Sequence, residues 1–158
     1  MALTIKLVRH GESRANTGEM VAHEVGDHAI GLSDRGQEQE HGYEPTEPQE
    51  ELRKTHGWFY YRFRGGESPA DCYDRTSSFL ESMMRQVERR SADNVLIVTH
   101  GLTIRCFVMR FLHLTVEEFD EMANPANCAV VTIAHRDTLS DVLFTSGDWA
   151  VSGLHRRP

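Results

Sequence analysis

Two apolar runs in this chain lead to the same dipeptide. Residues 3–8 and residues 95–98 each read as a buried strand, and each is followed within two residues by His-Gly, as His10-Gly11 and His100-Gly101. The pattern elsewhere alternates between helical and extended periods. Residues 13–25 are polar with small side chains and read as a helical start that becomes a loop. Leu32-Ser33-Asp34-Arg35-Gly36 reads as the start of a helix with Ser33 as its N-cap. Residues 40–55 carry Pro45, Pro48 and many glutamates, and they read as an exposed loop. Ser68-Pro69-Ala70-Asp71 is a strong helix start, with a capping serine, a first-turn proline and an acid three residues on.

Apolar residues then recur at Tyr73, Leu80, Met83 and Val87, with Phe79 and Met84 beside them, on one face of a long helix ending near Arg90. Residues 102–112 are mostly apolar and follow a glycine, which predicts a largely buried helix. Thr115-Val116-Glu117-Glu118 is a second capping box, opening a short helix to about Ala123. Residues 128–134 and 142–145 read as strands joined by a turn over 136–140, an antiparallel hairpin at a sheet edge. Strands alternating with helices predict an α/β fold, a three-layer sandwich whose mainly parallel sheet is flanked by helices and carries an antiparallel edge strand.

Composition narrows what such a fold could do. A chain of 158 residues is expected to form one domain with a sizeable core. The net charge of −7 argues against nonspecific nucleic-acid binding, but a local Arg and His cluster can still attract an anion. No apolar run is long enough to span a membrane, and Lys6, Arg9 and His10 interrupt the only N-terminal apolar stretch, so no signal peptide is read and a cytoplasmic location is expected. Cys72, Cys106 and Cys128 are an odd number without metal-ligand spacing and read as reduced thiols.

The chemistry concentrates at the two strand ends. A histidine in a strand-to-loop turn can present a ring nitrogen to phosphorus, and neutral imidazole is a competent nucleophile near neutral pH. Arg9 beside it can grip phosphate bidentately, and Gly11 allows close backbone approach. One such histidine alone would read as an ordinary strand end, but its recurrence as His100-Gly101 favours function. His100 also lies just before a helix N-terminus, where backbone N–H groups favour anions. The pattern therefore predicts a phosphate-handling site. His23, His28, His56, His113, His135 and His155 are isolated and read as surface or packing residues. No zinc-type ligand pair supports a metal, and no Walker-type loop supports nucleotide triphosphate chemistry.

These residues give the chain its resemblance to the histidine phosphatase superfamily, in its phosphoglycerate-mutase-like branch. Arg9-His10-Gly11-Glu12-Ser13 with Asn16, the Leu32–Gln39 segment, Gly65-Gly66-Glu67-Ser68 and Val98-Thr99-His100-Gly101 fit that family's motifs in order. The resemblance implies a phosphohistidine mechanism in which His10 carries the phosphoryl group. It implies that Arg9, Gly11, Asn16, His100 and Gly101 line the phosphate pocket, that a glutamate serves as general acid and base, and that no cofactor or metal takes part. Glu38, four residues before Gly42, fits the spacing of the family's acid. The resemblance further implies a small phosphorylated substrate and is compatible with a homodimer.

One departure is large. The family's strand and helix carrying a second phosphate-clamping arginine have no counterpart near residues 37–46. Either an internal segment is omitted or the chain carries a deletion. Omission is favoured, because losing a central strand would leave unpaired backbone groups, and it predicts a Cα–Cα separation well beyond ~3.8 Å within residues 38–46. Arg62, Arg64 and Arg105 are substitute cations by type, although none is marked by spacing. Arg62 and Arg64 read as a solvated segment, and Tyr60, Tyr61 and Phe63 as packing. The leading expectation is a phosphatase acting on a small phosphomonoester. The alternatives are a phosphoglycerate-mutase-type phosphotransferase and a phosphate-binding protein without turnover.

Overall fold

The computed structural model describes residues 3–11, 47–62 and 66–158, with residues 47–50 as backbone only. Asn16, Glu38, Arg64, Phe63 and the junction at 37–46, with the separation expected there, lie outside the described residues. The chain divides into two compact units, Met1–His10 with Tyr73–Pro158, and Gly11–Cys72. In chain order the elements are β1 (Thr4–Arg9), α1 (Glu47–His56), α2 (Pro69–Arg90), β2 (Asn94–Thr99), α3 (Gly101–Leu112), α4 (Val116–Glu121), β3 (Val130–His135), a 3₁₀ turn (Arg136–Thr138), β4 (Val142–Ser146) and β5 (Trp149–Ser152).

Among the described residues, the first unit is built on a five-stranded sheet of order β2-β1-β3-β5-β4. Only β1 and β2 pair in parallel among the described residues, while β1–β3, β3–β5 and β5–β4 are antiparallel. The fold is α/β with a mixed sheet, and the expectation of a mainly parallel sheet is corrected. The expected hairpin is corrected too. The 128–134 and 142–145 runs do not pair with each other, because the short strand β5 lies between them. Its residues Trp149-Ala150-Val151-Ser152 follow a two-residue Gly147-Asp148 turn, with Gly147 at φ +56, which reverses β4 into β5.

Side-chain alternation gives the sheet its core face. The pairing register lines up Val95, Ile5, Ile133, Val151 and Phe144 in one row across all five strands. Ile5, Leu7, Val131, Ile133 and Val151 are fully buried there, each contributing about 1.5–3 kcal/mol relative to exposure. Helix α3 packs on this face against β1, β4 and β5, and its Phe111 ring meets Trp149 edge-on at 5.2 Å. On the opposite face of β2, Leu96 and Val98 are 67% and 64% exposed. Among the described strands β2 is an edge.

In the second unit, residues 47–56 form helix α1 rather than the loop expected over 40–55. Pro48 falls in the first turn, where its missing N–H breaks no helical hydrogen bond, and Gln, Glu, Leu, Arg and Lys that follow are good helix formers. Gly57, at φ +78, ends the helix, and Arg53, Lys54 and His56 complement its carbonyl end. The start of α2 is as expected. The Ser68 hydroxyl accepts from the Asp71 N–H at 3.2 Å, and the Asp71 carboxylate accepts from the Ser68 N–H at 2.8 Å. The buried stripe of α2 is Cys72, Thr76, Leu80 and Met83, whereas Phe79 faces solvent. Among the described residues no helix is long and apolar enough to cross a membrane.

Candidate active site

The parallel pairing of β1 and β2 puts their C-terminal ends side by side, with Arg9 opposite Thr99. Parallel strands need a crossover, and the crossover is what lets two motifs about ninety residues apart finish at one edge. The pairing continues one residue past β1, where the His10 N–H donates to the Thr99 carbonyl at 3.0 Å. The two imidazoles then meet edge to face, with ring centroids 4.5 Å apart. His100 is buried and His10 is half-buried, while Gly11 directly after it is exposed. Ligands bind at this edge of α/β sheets because the loops diverge there.

His100 is also the N-cap of α3 and makes no side-chain capping bond. The positive end of the α3 dipole therefore faces the same edge. Gly101 opens that helix in a tight place. A Cβ built on it would lie 3.2 Å from the Asn124 carbonyl oxygen, Oδ1.

Arg9 is held by the segment following α4. Its N–H donates to the Ala129 carbonyl at 3.0 Å, and its own carbonyl accepts from the Cys128 N–H at 3.0 Å. Its Nη1 donates to the Pro125 carbonyl at 2.6 Å. Its Nε is buried without a hydrogen-bond acceptor among the described residues. A buried donor in that condition costs about 1–3 kcal/mol, which an anionic oxygen would relieve. Arg9, His10, His100 and Gly101 thus come together, while Asn16 and Glu38 fall outside the described residues.

Of the substitute cations, Arg105 and Arg62 lie among the described residues, and the solvated reading of Arg62 fits its exposure. Arg105 has no exposed surface. Its Nη2 donates to the Phe119 carbonyl at 2.9 Å, and its guanidinium lies 4.2 Å over the Phe119 ring, so it is not a second clamp presented to substrate. Arg62 is exposed and paired bidentately with Asp71. Together with the Ser68 bonds, which weigh more, that pairing holds the Asp71 carboxyl down to about 2 from its ordinary 3.8. Tyr60 is 62% exposed rather than packed, and with Leu52, His56, Tyr61 and Arg62 it lines a shallow surface depression. Sequence reasoning missed Asn124 and Pro125. The only signal there was an Asn-Pro turn, and a backbone carbonyl acceptor carries no mark in sequence.

Residues 41–145 match the sequence profile of the histidine phosphatase superfamily (branch 1). A phosphoglycerate mutase-like protein of Arabidopsis thaliana is 49% identical over an alignment of 85 residues that covers 49% of this chain and 30% of that protein. A broad-range acid phosphatase of Saccharomyces cerevisiae is 44% identical over 85 residues, covering 51% of this chain and 25% of that protein. The matched stretch is thus less than a third of the length of either relative. Among solved structures, the phosphoserine phosphatase of Entamoeba histolytica in complex with 3-phosphoglyceric acid aligns over 97% of this chain and 96% of its own, with a TM-score of 0.55 and 15% identity. That likeness concerns the fold.

Proposed function

The chain belongs to the histidine phosphatase superfamily, and from that premise we propose that it is a phosphatase hydrolysing a small phosphomonoester through a phosphohistidine on His10. The observation that carries this reading is the meeting of the His10 and His100 rings beside Arg9 at the shared end of β1 and β2. A ring nitrogen of His10 attacks phosphorus, the P–N bond forms, and the P–O bond to the alcohol breaks. The leaving oxygen takes a proton from a general acid, the role assigned to Glu38. Water then attacks the phosphohistidine, releasing inorganic phosphate and restoring His10. Arg9, His100 and the amide end of α3 stabilise the charge on the transferring oxygens.

The acid phosphatase relative supports the choice of water as acceptor. The mutase-like relative supports the second reading, transfer to an alcohol. The two readings separate in one assay, inorganic phosphate released from an aryl phosphate without added metal or bisphosphate. The 158-residue chain is expected to turn over, and His10→Ala to be inactive. Phosphoglycerate interconversion that depends on a bisphosphate primer, without net phosphate release, would replace the phosphatase reading by the mutase one. Phosphate binding without either activity would leave a binding protein.

A further inference from the structure

We infer that Arg105 is a positioning residue for Arg9, acting through Asn124 and Pro125; the inference rests on the reading of Arg9 as a phosphate ligand. Arg105 lies one turn into α3 after His100 and is completely buried. Burying a guanidinium is costly, and an apolar side chain of similar volume would fill the same space without that cost. What the charge adds is a fork between two segments. One arm, Nη2, donates to the Phe119 carbonyl in α4 at 2.9 Å. The other, Nη1, reaches the Asn124 Oδ1 at 3.5 Å, the outer limit of a hydrogen bond, so attraction between charge and dipole dominates.

The two arms do different things. The Phe119 arm and the stacked Phe119 ring tie α3 to α4. The Asn124 arm reaches a residue that is otherwise exposed, and it holds that residue's Oδ1 against Gly101. The next carbonyl along the chain, that of Pro125, receives Nη1 of Arg9 at 2.6 Å. A planar guanidinium fixed at one nitrogen has its remaining donors fixed in direction too. Arg105 therefore sets the segment that aims Arg9, and it does so from the helix that His100 caps. A helix that carries one histidine of the site thus also sets the arginine beside the other. This coordinates the two strand ends beyond their backbone pairing.

Two readouts test the link: the Nε–H resonance of Arg9, assigned by its loss in Arg9→Lys, and the Kd for inorganic phosphate by titration calorimetry. Arg105→Met and Asn124→Ala are both expected to move the Arg9 resonance. They should also weaken phosphate binding about tenfold, the fold-change of one net hydrogen bond to a charged group. Arg105→Lys, which keeps the charge but not the fork, is expected to fall between Met and wild type. Asn124→Ala changes an exposed position, keeps the melting temperature, and decides the matter if Arg105→Met fails to fold. An unmoved Arg9 resonance and unchanged phosphate Kd in Asn124→Ala would overturn the inference. If Arg9→Lys weakens phosphate binding while Asn124→Ala does not, the site reading stands and the positioning link falls. If the resonance responds but even the wild type fails to bind phosphate, the link stands and the phosphate reading falls.

Discussion

Arg9 and His10 are adjacent in sequence but are held in different ways. His10 is fixed through its backbone to Thr99, whereas Arg9 is fixed at both its backbone and its side chain by residues 125–129. That segment leads into β3, whose first residue lies against Gly153. Gly153, just past β5, has φ +83, and a Cβ there would lie 2.3 Å from the Val130 carbonyl oxygen. Both the angle and the space demand glycine. Gly153→Ala is expected to cost about 2 kcal/mol or more, read as a lower urea midpoint. Because Val130 follows directly on the residues that hold Arg9, phosphate affinity should fall with it. At this scale the sequence showed Arg9, His10, His100 and Gly101, because each ends an apolar run. It could not show that Arg105 is committed to Phe119 and Asn124. A lone arginine in a helix pattern looks the same whether it is buried or exposed.

Helices α2 and α4 begin where their capping boxes place them, because a cap is a local contract between residues three apart. Thr115 and Glu118 exchange bonds of 3.2 and 2.8 Å just as Ser68 and Asp71 do. The box at the start of α2 is pH-sensitive. The Asp71 carboxyl is held at about 2 against an ordinary 3.8, chiefly by its bonds to Ser68 and then by Arg62. A carboxyl depressed in the folded state contributes stability that is present above its ordinary value. That stability is lost as pH falls through the depressed one. Asp71→Ala is therefore expected to lower stability by about 1 kcal/mol at neutral pH, with the gap to wild type closing as pH falls from 4 towards 2. Urea midpoints of both proteins across that range measure it, and a gap constant with pH would count against the pairing. Two other elements were less legible. Pro48 reads as a breaker unless it is known to sit in a first turn, and β5 is four residues long, too short for periodicity to announce.

At the scale of the molecule, the sheet of the described residues carries one parallel pair and three antiparallel ones, and the site sits at the end of the parallel pair. The α/β class follows from the alternation of elements, but strand order depends on pairings between distant segments, which a periodic pattern does not encode. The bare outer face of β2, with Leu96 and Val98 exposed, is likewise a property of the assembled sheet. Family membership rests on residues 41–145, which contain His100 but not His10. His10 joins the site through the parallel pairing of β1 with β2. Whether that pairing makes a working nucleophile is most directly measured by quenching the 158-residue chain during turnover of a radiolabelled phosphomonoester and testing for protein-bound phosphate. The account predicts an acid-labile, base-stable phosphoenzyme in wild type and none in His10→Ala. Equal labelling of the two, or turnover that survives the loss of His10, would contradict it.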